Sequence, residues 1–212
     1  SPIGKIDIED DFEEHLEKLK NVIMVAKILG TKYIRVFSFF MEDGTYEANR
    51  PEVMRRMKAM VKLAEENDII LLHENEKGIY GNIAPRCADI LKEVNSPNLR
   101  AVFDPANFIE CDQITYPDGF ELMKPYIEYM HIKDAQADKK IVPAGMGIGN
   151  IKAIVTELNK MGYKGFYSLE PHLTAFLGFA DLEDSNAATE RDNSIKKPFD
   201  ISDAEARNIY IN

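Results

Sequence analysis

The chain has 212 residues, 45% of them hydrophobic, with 36 acidic against 26 basic side chains and a formal charge of −10. A protein of this size buries about 70% of its unfolded surface and needs no disulfides to hold a core, and the two cysteines, Cys87 and Cys111, predict the reducing cytoplasm. The acidic balance argues against nucleic acid or an anionic membrane as the main partner, and no apolar run approaches the roughly 18 residues of a membrane span.

Five short segments rich in β-branched and aromatic residues are predicted to be strands. They begin at residues 33, 69, 100, 129 and 166, which is the spacing of βα units and too wide for hairpins. Each segment is apolar at its start and polar at its end, as in a buried parallel strand whose end faces a site. The predicted strands are Tyr33–Phe39, Ile69–Asn75, Arg100–Ala106, Tyr129–Asp134 and Phe166–His172.

Helical periodicity fills the intervals between these strands. An apolar stripe runs along Phe12–Leu29, and Gly30 follows it where a left-handed cap is expected. A second helix passes through Val53–Ala64, with Pro51 predicted in its first turn. Three more helices are predicted at Ala84–Val94, Pro117–Tyr126 and Asn150–Met161.

Strict alternation of strands and helices indicates an α/β fold with a parallel sheet, either doubly wound or closed into a barrel. A doubly wound dinucleotide-binding sheet needs a glycine-rich turn after its first strand, and none is present. Gly145, Gly147 and Gly149 precede a helix but do not directly follow a strand end. We therefore expect a (β/α)8 barrel of the TIM type.

Four successive predicted strands deliver a residue able to bind a metal ion at their C-terminal ends. These residues are Glu74, Asp104, His131 and Glu170. Taken singly, each has a structural explanation, such as a helix cap or a core histidine, so the joint pattern carries the prediction. In a parallel barrel all strand ends meet at one face, where barrel enzymes place their sites. Three carboxylates and one imidazole favour Mn²⁺, Mg²⁺ or Co²⁺, with Zn²⁺ as a further candidate.

The segments that hold these residues resemble the xylose isomerase-like TIM barrels, a group of sugar isomerases and epimerases. The matching motifs are LLHENEKG, VFDPANF, HIKDA and SLEPH. The resemblance implies that the four residues bind one divalent metal ion and that Glu74 and Glu170 are catalytic. It also implies proton transfer through a metal-bound cis-enediolate, without an organic cofactor.

The predicted function is therefore a metal-dependent isomerase or epimerase of a small sugar or sugar phosphate, in a homo-oligomer. A lyase of the inosose dehydratase type and a non-catalytic metal- or sugar-binding remnant remain as alternatives. The abasic-site endonucleases of the same group use extra histidines, one of which would stand where this chain has Asn107. That difference, together with the negative charge, argues against a DNA substrate.

Several polar residues near the strand ends receive separate predictions. Asn107, Lys133 and His172 are predicted to contact the substrate. Arg35 lies within the first strand and needs an acidic partner in the barrel interior. We expect His15 and Glu76 to face solvent, and His73 to point away from the metal into the core.

The barrel prediction makes the chain short, since a complete barrel needs about 250 residues and only five strands are recognisable. Residues 1–6 resemble the end of an earlier strand. The visible strands would then be the fourth to eighth, with the first two to three βα units absent. We predict a partial barrel over residues 1–178 and a polar tail over residues 179–212, with a short helix at Asp203–Ile211.

Overall fold

One curled parallel sheet organises the structure, a computed structural model that describes residues 1–173. The predicted helix at Asp203–Ile211 lies outside the described residues. The strands are β1 (Tyr33–Val36), β2 (Ile70–Glu74), β3 (Leu99–Phe103), β4 (Ile127–Ile132), the short β5 (Asp134–Ala135) and β6 (Ile141–Val142), and β7 (Phe166–Leu169). The large sheet has the order β1-β2-β3-β4-β7, and β5 and β6 form a separate antiparallel pair.

In the part of the chain that the structure describes, six α-helices connect the strands and cover the sheet. They are α1 (Phe12–Leu29), α2 (Tyr46–Glu65), α3 (Ala84–Val94), α4 (Pro105–Glu110), α5 (Phe120–Met123) and α6 (Ile151–Lys160), with a π-helical turn at Thr115–Gly119. Helix α1 begins after Asp11, whose carboxylate accepts hydrogen bonds from two backbone N–H groups of the first turn. It ends at Gly30, which has the predicted left-handed backbone with φ 69°.

The core lies between the helices and the sheet. Large side chains with almost no exposure include Leu19 of α1, Met57 of α2, Leu71 of β2, Phe103 of β3 and Phe108 of α4. Burial of each such side chain stabilises the fold by about 1.5–3 kcal/mol. Within residues 1–173, no helix has the length and apolar character needed to cross a membrane.

The sheet forms part of a barrel, as predicted. It curls so that the ring of Tyr33 in β1 contacts the ring of Phe166 in β7, with centroids 5.9 Å apart. The N-terminal residues continue the edge beside β1, since the backbone N–H of Phe37 donates to Ile3 O at 2.8 Å. Residues 1–173 therefore form a five-stranded half-barrel surrounded by helices, which matches the prediction of a partial barrel of the TIM type.

Two helix starts differ from the predictions. Helix α2 begins at Tyr46, so Pro51 lies inside the helix and not in its first turn. Proline removes one helical hydrogen bond there, but the helix continues because its next turns bury Val53 and Met57. Helix α4 begins at Pro105, directly after Asp104, although we expected a strand through Ala106. The Asp104 side chain caps this helix, and proline is favoured at a first helical position.

Two further predictions are wrong because local periodicity does not report distant contacts, and a third differs only in its bounds. His15 is buried, since the N-terminal segment folds over α1 and the backbone N–H of Gly4 donates to His15 Nε2 at 2.8 Å. Leu29 belongs to the predicted buried stripe but is 74% exposed. The predicted helix Pro117–Tyr126 is present in a shorter form, as the second half of the π-helical turn followed by α5, which ends at Met123.

Candidate metal centre

All four predicted metal ligands meet at the C-terminal edge of the sheet. Glu74 is the last residue of β2, Asp104 follows β3, His131 lies near the end of β4, and Glu170 follows β7. One potential ligand atom of each residue lies within 4.8 Å of those of the other three. The four strands are neighbours in the sheet, so parallel pairing brings residues 74 and 170 together despite their separation along the chain.

The imidazole of His131 lies between the three carboxylates. Its Nδ1 atom is 2.9 Å from Glu74 Oε1, 3.3 Å from Asp104 Oδ2 and 2.5 Å from Glu170 Oε2. Burial opposes the charged imidazole, but hydrogen bonds to these carboxylates outweigh it and raise the pKa of His131 to about 12. Burial also opposes ionisation of Glu170, yet its contacts with His131 and His172 hold the pKa of Glu170 well below its usual range.

This donor set fits a divalent cation. The side chains of Glu74 and Asp104 are 2% and 0% exposed, and three clustered carboxylates in such a setting need a positive charge. Glu74 Oε2 is buried and accepts no hydrogen bond from the described residues, although Arg35 Nη1 forms an ion pair with it at 3.0 Å. A protonated His131 balances part of the charge in the metal-free arrangement. A divalent ion would replace that proton, because histidine binds metal as the neutral imidazole.

Two cationic side chains flank the four ligands. Arg35 Nη1 lies 3.0 Å from Glu74 Oε2 and 3.5 Å from Glu170 Oε1, which confirms the predicted acidic partner in the barrel interior. Lys133 Nζ lies 3.8 Å from Asp104 Oδ2. Burial alone would lower the pKa of Lys133, but nearby carboxylates, with Asp104 the strongest, raise it above its ordinary value. Lys133 therefore stays charged beside the centre.

The structure also places the three predicted substrate contacts next to the ligands. Asn107 is buried, its Nδ2 donates to Glu74 Oε1 at 3.4 Å, and its Oδ1 accepts from Lys133 Nζ at 2.8 Å. His172 Nε2 lies 3.2 Å from Glu170 Oε1, and the His172 side chain is 37% exposed. Their contact with a substrate stays a prediction.

Glu76 contradicts its predicted solvent-facing position. Its side chain is only 19% exposed and pairs with Lys5 Nζ at 3.5 Å, and burial raises the pKa of Glu76. Residues 1–7 fold over this part of the sheet, a contact that strand alternation does not report. His73 behaves as predicted, since it is fully buried in the core with its Nε2 3.0 Å from Ser38 Oγ.

Two further buried polar side chains lie beside the centre, and sequence reasoning missed the hydrogen bonds that each of them makes. Asn75 forms two hydrogen bonds with the backbone of Asp104. Asp134 accepts the backbone N–H groups of Gly145, Gly147 and Gly149 at 2.9–3.0 Å, which organises the glycine-rich loop before α6. A polar residue at a buried strand end was the available signal in both cases.

Comparison with known proteins places this site in a family context. Residues 3–192 match the family described as xylose isomerase-like TIM barrel. A 3-dehydroshikimate dehydratase of Bacillus anthracis is 25% identical over 132 residues, which are 61% of this chain and 46% of that protein. The chain thus spans about half the length of the curated relative that it matches.

Solved structures share the fold. The probable 3-DHS dehydratase involved in petrobactin synthesis from Bacillus anthracis has a TM-score of 0.66 at 24% identity, covering 79% of this chain and 67% of that chain. A D-tagatose 3-epimerase-like protein has a TM-score of 0.65 at 20% identity, with the same coverage. A xylose isomerase-like TIM barrel protein from Mycobacterium smegmatis in complex with magnesium has a TM-score of 0.63 at 18% identity. The match covers 74% of this chain and 60% of that chain. The chain belongs to the xylose isomerase-like TIM barrel family.

Proposed function

We propose that this chain belongs to a divalent-metal-dependent isomerase or epimerase of a small sugar or sugar phosphate. The observation that carries the proposal is the convergence of Glu74, Asp104, His131 and Glu170 within 4.8 Å at the ends of four parallel strands. These four residues would hold one Mn²⁺, Mg²⁺ or Co²⁺ ion, or Zn²⁺. A bound metal ion polarises a substrate carbonyl and acidifies the neighbouring C–H group.

Glu74 and Glu170 are the proposed proton-transfer residues. They come from β2 and from the residue after β7, with β3 and β4 between them in the sheet, so the two carboxylates approach the centre from different sides. One would remove the substrate proton and the other would return it. Return to the opposite face of the same carbon gives epimerisation, and return to the neighbouring carbon gives isomerisation.

The neighbouring side chains prepare this chemistry. Arg35 contacts both glutamates, while His172, the more exposed side chain, contacts Glu170. Lys133 presents a buried ammonium group that would stabilise negative charge developing on a substrate oxygen. Asn107 holds Lys133 through its amide oxygen.

A lyase reaction is the second candidate, because the 25% identical relative is a 3-dehydroshikimate dehydratase. Dehydration of a hydroxylated ketone begins with the same removal of a proton next to the carbonyl. The electron pair then expels a β-hydroxyl group, and no proton returns to the carbon. The same residues would therefore serve either reaction, and the difference lies in the substrate and in its orientation.

Solvent deuterium exchange tests the proposal. The Mn²⁺-loaded protein is incubated in D₂O with a panel of ketoses, keto-inositols and 3-dehydroshikimate, and the products are followed by NMR. We expect deuterium to enter a carbon next to the carbonyl of a ketose, and the Glu170→Gln variant to slow this exchange by at least about 100-fold. Glu157→Gln, in α6 and paired with Lys160, is the matched control and should retain full exchange.

The outcomes separate the candidates. Loss of water from a cyclic ketone, with little deuterium in the ketoses, would favour the lyase. Neither exchange nor dehydration in the metal-loaded parent protein would indicate a non-catalytic binding protein. Full activity in Glu170→Gln would contradict the assignment of this glutamate.

A further inference from the structure

The side chain of Asn75 extends the pairing of β2 and β3 beyond the end of both strands. The last backbone pair of this ladder joins Glu74 to Val102. One residue further, Asn75 Nδ2 donates to Asp104 O at 2.9 Å, and the backbone N–H of Asp104 donates to Asn75 Oδ1 at 3.0 Å. The amide thus imitates a backbone peptide group, and it is 1% exposed.

These two bonds hold Asp104 at the point where the chain changes direction. Asp104 keeps an extended backbone, with φ −112° and ψ 107°, although α4 begins at the next residue. Its carboxylate then serves two neighbours, because Oδ1 accepts from the backbone N–H of Asn107 at 3.0 Å while Oδ2 faces His131 Nδ1 at 3.3 Å. A shift of the Asp104 backbone would break this arrangement.

Asn107 closes a ring of hydrogen bonds with the same residues. Its Nδ2 donates to Asn75 O at 3.0 Å and to Glu74 Oε1 at 3.4 Å. The side chain of Asn75 is therefore hydrogen-bonded to Asp104, one proposed ligand. Its backbone carbonyl is hydrogen-bonded to Asn107, whose side chain also contacts Glu74, a second proposed ligand. The ring fixes the position of the Glu74 carboxylate relative to that of Asp104.

We propose that Asn75 is a positioning residue that sets the spacing of Glu74 and Asp104 for a divalent cation. The inference rests on the proposed metal centre and adds to it a residue that does not touch the ion. Partners of this kind orient ligands, and their loss typically weakens metal affinity by about 10- to 100-fold.

The chain offers a matched control at the opposite end of the same two strands. Asn98 Nδ2 donates to Ile69 O at 2.7 Å, which links the start of β3 to the start of β2. Asn98→Ala and Asn75→Ala each remove an amide that bridges these strands, but only Asn75 lies beside the proposed ligands. A purely structural role would give the two variants the same consequences.

The experiment measures Mn²⁺ affinity by electron paramagnetic resonance and the stability of the metal-free protein by urea unfolding in a chelator. We expect Asn75→Ala to weaken Mn²⁺ binding by about 10- to 100-fold and to alter the visible spectrum of bound Co²⁺. Asn98→Ala should keep the parent affinity within about twofold and the parent Co²⁺ spectrum, even where it loses stability. Asn75→Ser retains a polar group but cannot make both bonds, and it takes the place of Asn75→Ala if that variant does not fold.

The results distinguish this inference from the proposed function. If the parent protein binds Mn²⁺ and the Asn75 variants bind it equally well with an unchanged Co²⁺ spectrum, the positioning role is wrong and the metal centre stands. If Asn98→Ala weakens binding as much as Asn75→Ala, general destabilisation explains both and the inference fails. If the parent protein binds no Mn²⁺, the metal centre and the inference fail together.

Discussion

At the level of single residues, the negative and positive side chains around the candidate metal centre balance one another. The carboxylates of Glu74, Asp104 and Glu170 face the cations of Arg35 and Lys133 and the imidazole of His131. With His131 protonated, this group is close to neutral. With a divalent ion and a neutral imidazole, one positive charge would be in excess, which would favour negative charge on a substrate oxygen in the proposed proton removal.

His73 provides a residue-level prediction for pH dependence. Burial lowers the pKa of His73 to about 4, whereas an unfolded histidine titrates near 6.5. Well above pH 6.5 the imidazole of His73 is neutral in both the folded and the unfolded protein. Between pH 6.5 and pH 4 the unfolded protein binds a proton on this imidazole and the folded protein does not. The free energy of unfolding should therefore fall by about 2.5 kcal/mol between pH 7.5 and pH 4.5 through this residue alone.

Urea unfolding of His73→Gln measures this contribution. Acid sensitivity from other groups, such as Glu170, affects the parent and the variant alike, so the difference between the two pH profiles is the readout. We expect the variant to lose less stability than the parent as the pH falls from 7.5 to 4.5. Parallel profiles would show that the buried position of His73 does not govern its protonation.

At the level of elements, Asp134 controls the loop that leads from β6 into α6. Its carboxylate accepts four backbone N–H groups, from Ala135, Gly145, Gly147 and Gly149. The glycines are required here, because a Cβ atom on Gly147 would lie 2.2 Å from Ala135 O. Asp134 itself stands three residues after His131, so its carboxylate ties this loop to the chain segment that carries a proposed metal ligand.

Hydrogen exchange tests this control. Asp134→Asn leaves one carbonyl oxygen and introduces an amide N–H₂ group that cannot accept, so at least two bonds should be lost. We expect the amides of Gly145 and Gly147 to exchange at least about tenfold faster in this variant. Asp138→Asn is the control, since Asp138 accepts only the nearby Lys140 N–H on the exposed turn between β5 and β6. Unchanged protection in Asp134→Asn would mean that the glycine backbone holds its own conformation.

The elements that the sequence predicts well are those whose pattern is local. The bounds of α3 are as predicted and α6 differs by one residue at each end, because amphipathic spacing and a glycine or asparagine near each end mark them. The start of α4 could not be predicted in this way. It depends on Asp104 acting as a cap while also facing His131, a double role that only the folded sheet reveals.

At the level of the whole molecule, the predictable part of the site follows from topology. Parallel strands bring their C-terminal ends to one edge of the sheet. The spacing of the strands and the family resemblance were therefore enough to predict that the four proposed ligands lie together. The N-terminal segment could not be assigned in this way. Lys5 reaches Glu76 across the sheet, and Gly4 reaches His15, through contacts between elements that no periodicity encodes.

The half-barrel architecture would give a bound metal ion a role in the whole fold. The described sheet has β1 and β7 as its outer strands, and β7 carries exposed apolar side chains, including Leu169. A metal ion would join the ends of β2, β3, β4 and β7. It would therefore tie an outer strand to the middle of the sheet, in addition to its proposed chemical role.

The most direct test of the central claim is an anomalous diffraction map from crystals of the protein grown with saturating Mn²⁺. The account predicts one strong peak at the C-terminal edge of the sheet, within about 2.0–2.5 Å of an atom from each of Glu74, Asp104, His131 and Glu170. A map from Mn²⁺-saturated crystals with no peak between these residues, or with peaks only on exposed carboxylates, would contradict it.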